Sequence, residues 1–142
     1  GQVWYNSTSG NLRVQGIGVG AWSSTSPGTT ARSDLAGFGI QTAAVGAGGY
    51  VTAAVANVEE YNGSGWSTAT AIPTATNSLA GFGVLTAGVV CGGVSGSPTR
   101  PNATFEYNGT SWTGGGNLNT GRQNLTGVGI FVRNIMEQHG QQ

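Results

Sequence analysis

A six-residue block recurs along this chain at a nearly fixed step. Leu35-Ala36-Gly37-Phe38-Gly39-Ile40 returns as Leu79-Ala80-Gly81-Phe82-Gly83-Val84 and again as Leu125-Thr126-Gly127-Val128-Gly129-Ile130, steps of 44 (35 to 79) and 46 (79 to 125). A second landmark keeps step with it. Glu60-Tyr61-Asn62-Gly63-Ser64-Gly65-Trp66 returns as Glu106-Tyr107-Asn108-Gly109-Thr110-Ser111-Trp112, and Trp22 stands 44 before Trp66 (22 to 66). A third block, Thr42-Ala43-Ala44-Val45-Gly46-Ala47-Gly48-Gly49, matches Thr86-Ala87-Gly88-Val89-Val90-Cys91-Gly92-Gly93. Three blocks in one order at one spacing identify a repeat architecture, in which each unit buries its apolar surface only against its neighbours.

Each unit reads as four short strands. In the first block Phe38 and Ile40 alternate with Gly37 and Gly39, the period of a strand. The second strand is the Thr-Ala-Ala-Val block ending in Gly-Gly. The third runs from about Ala54 to Tyr61, and from Ala103 to Tyr107 in the next unit; the fourth contains Trp66 or Trp112. Between third and fourth stand Asn62-Gly63 and Asn108-Gly109, a hairpin signal because both residue types tolerate positive φ. No stretch sustains a helical period. The tail, Phe131 to His139, reads as a short helix or a divergent strand. The expected fold is therefore all-β.

Composition narrows the function classes. Of 142 residues, 27 are Gly and only 7% are charged. Five Arg, with no Lys, balance five acids, for a net charge of zero. That argues against nucleic acid and against anionic membrane surfaces, both of which need clustered positive charge. Regularly placed aromatic and aliphatic residues with so little charge are not a disorder signature. The single Cys91 allows no intrachain disulfide. No run of 18 apolar residues is present, so no transmembrane helix is expected, and no signal peptide either. The start at Gly1-Gln2-Val3-Trp4 leaves open a piece of a longer array.

The order of landmarks resembles the kelch repeat. A small-residue strand, a strand ending in Gly-Gly, a loop, an acid followed by Tyr, and a Trp a few residues on all stand in that sequence over roughly residues 22–130. Arg32 and Arg122 fall where kelch repeats often carry Arg; the second unit departs from this with Thr76. The resemblance implies β-propeller blades of four antiparallel strands. The run from Glu106 to Trp112, with Gly114 to Leu125 after it, resembles short kelch-like arrays in tail or fibre proteins of aquatic bacteriophages. The opening, Gly1 to Val14, resembles a hairpin of phage tail fibres. These likenesses imply a virion or extracellular location.

Propellers close with about 4–8 blades. The divisions are 1–31, a partial blade; 32–75 and 76–120, two blades; and 121–142, a partial blade or tail. Val3 to Trp22 supplies a third and a fourth strand, and Asn124 to Gly140 a first and a second. That makes about three blades per chain, which cannot close a ring. A homodimer would make six, the N-terminal strands of one copy completing the C-terminal blade of the other.

The candidate ligand-binding residues are Arg32, Arg122, Asn77 and Asn124. Preceding the innermost strands, they would form a polar rim at the channel mouth that bonds a carboxylate or a sugar. The alternative is that the Arg side chains bridge blades through carbonyl or acid contacts. Cys91 aligns with Ala47 and reads as a small buried hydrophobe. His139 is the only His, so neither a zinc site nor a nucleophile–His–acid triad is supported. Glu59, Glu60 and Glu106 sit in repeat-equivalent positions, which reads as structure rather than paired catalytic carboxylates; before the turn, such an acid can accept backbone or Trp N–H bonds. Asn6, Asn62, Asn102, Asn108 and Asn124 head glycosylation sequons, two of which are the expected turns.

The expected function is thus a non-enzymatic structural or adhesive module without a cofactor or metal, a homodimer contacting a virion protein or a host-surface glycan. The alternative is a lectin-like propeller. The unlike loops Tyr50–Asn57 and Val94–Asn102 are the expected partner surface.

Overall fold

The computed structural model of the chain describes residues 3–6, 11–14, 24–96 and 100–129. These residues are all-β, with ten strands and no helix. Strands β1 (Val3–Asn6) and β2 (Asn11–Val14) form an antiparallel hairpin in which Tyr5 pairs with Leu12 in the backbone register. Strands β3 (Ala36–Ile40), β4 (Ala43–Ala47), β5 (Val58–Tyr61) and β6 (Trp66–Ala69) form a four-stranded antiparallel meander. Strands β7 (Ala80–Val84), β8 (Ala87–Cys91), β9 (Thr104–Tyr107) and β10 (Trp112–Gly114) form a second, in the same order. The two sheets are the two complete repeats. The third strands are shorter than their sequence suggests, because Ala54 makes only an isolated bridge to Tyr50. Residues 125–129, the third copy of the first block, are not a strand; Gly129 C=O accepts one bond from Gly83 N–H, at 3.1 Å. Trp22 and residues 130–142 lie outside the described residues.

Glycine marks the tight points. Gly39 and Gly83 have φ of 119° and 110°, and a Cβ on either would stand 2.3 Å from the carbonyl oxygen of Ala43 or Ala87 across the hairpin. No side chain fits there. The β5–β6 and β9–β10 turns fall where expected but are four residues long. Asn62 keeps negative φ and acts through its side chain: its Oδ1 accepts the N–H groups of Ser64 and Gly65 at 3.0 and 2.9 Å. Asn108 does the same for Thr110 and Ser111, at 2.9 and 2.8 Å. These are Asx turns, followed by a Gly at φ 92°.

The core lies between the two sheets. Pairing puts Phe38, Val45 and Glu60 on one face of the first sheet. That face meets the second sheet: the Phe38 ring lies over Gly88 and edge-on to Trp112, centroids 6.3 Å apart at 89°. A Cβ on Gly88 would come within 2.0 Å of Phe38 Cε2. From the second sheet, Leu79, Val90 and Tyr107 close the contact, with Ile72 from the segment leading into it. The Gly-Gly pairs serve the same junction. Gly49 N–H donates to Thr76 C=O, and Gly93 N–H to Arg122 C=O, both at 2.9 Å. A Cβ on Gly48 or Gly92 would stand 2.4 or 2.5 Å from those carbonyl oxygens.

Candidate functional site

The far face of the first sheet carries a buried polar cluster. Gly46 and Glu59 pair across β4 and β5, and Ala44, Tyr61 and Trp66 share that face. Arg32 folds onto it from the preceding segment. Its Nη1 lies 3.0 Å from Glu59 Oε1, the two side chains being 2% and 6% exposed. Its Nη2 donates to Gly46 C=O at 3.2 Å. Glu59 Oε1 also accepts the Thr30 N–H at 3.0 Å and the Thr29 hydroxyl. Burial alone would raise the Glu59 carboxyl; the Thr29 hydroxyl, the Arg32 guanidinium and the Thr30 N–H outweigh it and hold the carboxyl below its ordinary value. Arg32 Nε is buried with no hydrogen-bond acceptor among the described residues, and Nη1 meets Glu59 as an ion pair outside hydrogen-bond geometry. Beside the pair lies a cavity of about 350 Å³, bounded by Gly28, Leu35, Gly46 and Trp66.

The second sheet explains the cavity. Gly46 pairs with Glu59, whereas the equivalent pair is Val90 with Phe105. Gly28 and Arg32 likewise stand where the next repeat has Ile72 and Thr76. There the slot is filled and buried: Ile72 is 2% exposed, Thr76 2% and Val90 0%. The register therefore corrects the grouping of Glu59 with Glu60 and Glu106. Glu60 and Glu106 are equivalent, and the counterpart of Glu59 is Phe105. Glu60 does not serve its turn either. It accepts the Tyr107 hydroxyl of the second sheet at 2.5 Å, and burial with that carboxylate pushes the phenol's pKa up. Trp112 Nε1 donates elsewhere, to Thr70 C=O at 2.8 Å.

The four residues read from sequence as a rim occupy different settings. Arg32 is buried in its ion pair. Arg122 is exposed, its Nε 3.4 Å from Thr120 C=O, while its own carbonyl takes the Gly93 N–H. Asn77 pairs its backbone with Val94 at 2.9 and 2.8 Å and donates its side-chain amide to Ser78 Oγ at 3.1 Å. Asn124 is exposed at φ 57°. No hydrogen bond or ion pair joins any two of the four among the described residues. What lines up instead is backbone. Asp34, Ser78 and Asn124 are repeat-equivalent, and all have left-handed φ, 54°, 56° and 57°. Ser78 N–H donates to Asp34 C=O at 2.8 Å, and Asn124 N–H to Ser78 C=O at 3.1 Å. Sequence reasoning missed this ladder, because the three side chains share only a tolerance for that conformation.

No group of three His, Cys, Asp or Glu able to hold a metal occurs among the described residues. His139 lies outside them. Cys91 is half-buried and unpaired, and burial raises its thiol pKa. In the loop after β4, Tyr50 and Val51 are 42% and 48% exposed. No helix among the described residues is long and apolar enough to cross a membrane.

No protein-family description matches this chain, and no curated protein matches it. Among solved structures it is similar to that of YjhT, with 11% identity and a TM-score of 0.61 over 89% of this chain. The match covers 41% of YjhT, so this chain spans about two-fifths of that protein's length. At such identity the likeness is one of fold alone.

Proposed function

We propose that this chain is a non-enzymatic structural or adhesive module built of kelch-like propeller blades, about three per chain, which two copies close into a six-bladed ring. One observation carries the reading. The far face of the first sheet is repeat-equivalent to the face of the second sheet that the first covers. Yet Leu35 there is 42% exposed where its counterpart Leu79 is 8% exposed. A face designed by the repeat for burial needs a neighbour, and a single chain brings about three blades where a ring needs more. The match to two-fifths of a longer chain suits a partial array. The named polar groups are spent on pairings within and between sheets, which suits a scaffold better than a reaction centre. The unlike loops at 50–57 and 94–102 are the partner surface, and the wording of the repeats favours a virion-associated, extracellular setting. Negative-stain images test this reading: a closed ring of six lobes supports it, and an open arc refutes it.

A lectin-like reading draws on the cavity, where Arg32, Glu59 and Trp66 combine a donor, an acceptor and an aromatic wall. A glycan array decides it; a flat result removes it.

A further inference from the structure

The structure assigns the face that a second copy takes: the far side of the first sheet receives the third repeat of the other copy, Asn124 to Gly129, in the register that joins successive repeats within the chain. This inference rests on the ring reading and adds to it which residues meet.

Within the chain the junction occurs twice. From first to second repeat, Ser78 N–H donates to Asp34 C=O at 2.8 Å, and a Cβ on Gly81 would stand 3.1 Å from Gly37 C=O and 3.2 Å from the Ala36 Cβ. From second to third, Asn124 N–H donates to Ser78 C=O at 3.1 Å, and a Cβ on Gly127 would stand 2.4 Å from Gly81 C=O. Among the described residues these are the two bonds of the ladder. Among the described residues, nothing accepts the Asp34 N–H and nothing donates to Asn124 C=O. Gly37, the counterpart of Gly81 and Gly127, meets nothing closer than 4.0 Å. The two loose ends are complementary, a donor on one side and an acceptor on the other. Asp34 N–H of one copy continues the ladder from Asn124 C=O of the next.

The side chains agree in size. Inside the chain, Phe38 lies over Gly88. At the seam the equivalent partners are Val128, 88% exposed, and Ala44. A smaller incoming residue thus meets a larger receiving one. A head-to-tail contact of this kind closes into a ring only if the rotation matches, and otherwise runs on into a filament.

A disulfide trap tests the register. The Ala36–Gly81 contact predicts that Thr126 of one copy lies beside Gly37 of the other, near the ~3.8 Å Cβ separation of a disulfide. Cysteines are placed by Gly37→Cys and Thr126→Cys in a Cys91→Ala background, and mass is measured before oxidation. The proposal expects a mass of two copies, and after mild oxidation a covalent dimer that reductant reverts. A two-copy mass without the covalent dimer overturns the register while leaving the ring reading standing. A one-copy mass overturns both. Covalent species running beyond two copies mean an open array and overturn the two-copy seam. Each single-Cys variant should stay monomeric on a non-reducing gel; if either links alone, the contact is isologous and the assignment falls.

Discussion

Gly88→Ala probes the junction between the sheets at its tightest point. The added Cβ would stand 2.0, 2.5 and 2.7 Å from Cε2, Cζ and Cδ2 of the Phe38 ring, which is 8% exposed and edge-on to Trp112. The ring cannot swing into solvent without giving up that contact, so the expected cost is that of overpacking, about 1–3 kcal/mol. Phe38→Val, which installs the residue of the third repeat, removes most of a buried ring and costs about 2–4 kcal/mol, somewhat under a full Phe→Ala truncation. In the Phe38→Val background the Gly88→Ala methyl meets space instead of a ring, so its cost falls below about 0.5 kcal/mol or reverses sign. The double mutant should therefore be more stable than the sum of the singles by about 1 kcal/mol or more, the coupling expected of touching residues. Equilibrium urea unfolding followed by Trp fluorescence measures each corner of the cycle. Additive effects would refute the packing of Phe38 on Gly88, and with it the argument that Val128 and Ala44 are matched at the seam.

Removing the Tyr107 hydroxyl by Tyr107→Phe should cost about 1.5–3 kcal/mol, because the bond goes to a carboxylate; denaturant midpoints check it. Arg32→Thr leaves Glu59 buried without its cation, and should cost about 3–5 kcal/mol. Adding Glu59→Phe installs the second repeat's neutral pair and should recover much of that loss, as read by thermal or urea unfolding. Glu59 also gives stability a pH dependence. Its folded carboxyl lies below the ordinary value of 4.5, so its contribution is full above that value and fades as pH falls through the lower folded one. In Glu59→Gln the acid limb of stability against pH should flatten; an unchanged limb contradicts the assignment.

The repeat was legible because each strand and turn carries its own short signal. The Leu-Ala-Gly-Phe-Gly blocks became β3 and β7, the Gly-Gly blocks ended β4 and β8, and Asn62 and Asn108 made their turns. The length of those turns was not legible, since an Asn side chain folding back on the backbone leaves the same dipeptide as a two-residue hairpin. The site was read least well. Arg32 and Arg122 stand at matching positions, yet Arg32 is held by a Glu across from the Gly it caps, a pairing that the second repeat replaces with Val90 and Phe105. That correspondence depends on the β4–β5 register, which loops of unequal length conceal. The Asp34, Ser78 and Asn124 ladder was invisible for a related reason. It is made by backbone groups, and any residue able to hold left-handed φ can serve.

The central claim is that the far face of the first sheet, which leaves Leu35 exposed, is half of an interface between copies. Light scattering coupled to size exclusion measures it without labels or variants. The chain has a mass of 14.2 kDa. A mass of twice that, with no dependence on concentration through the micromolar range, is the predicted result; a mass of one chain across that range contradicts the claim.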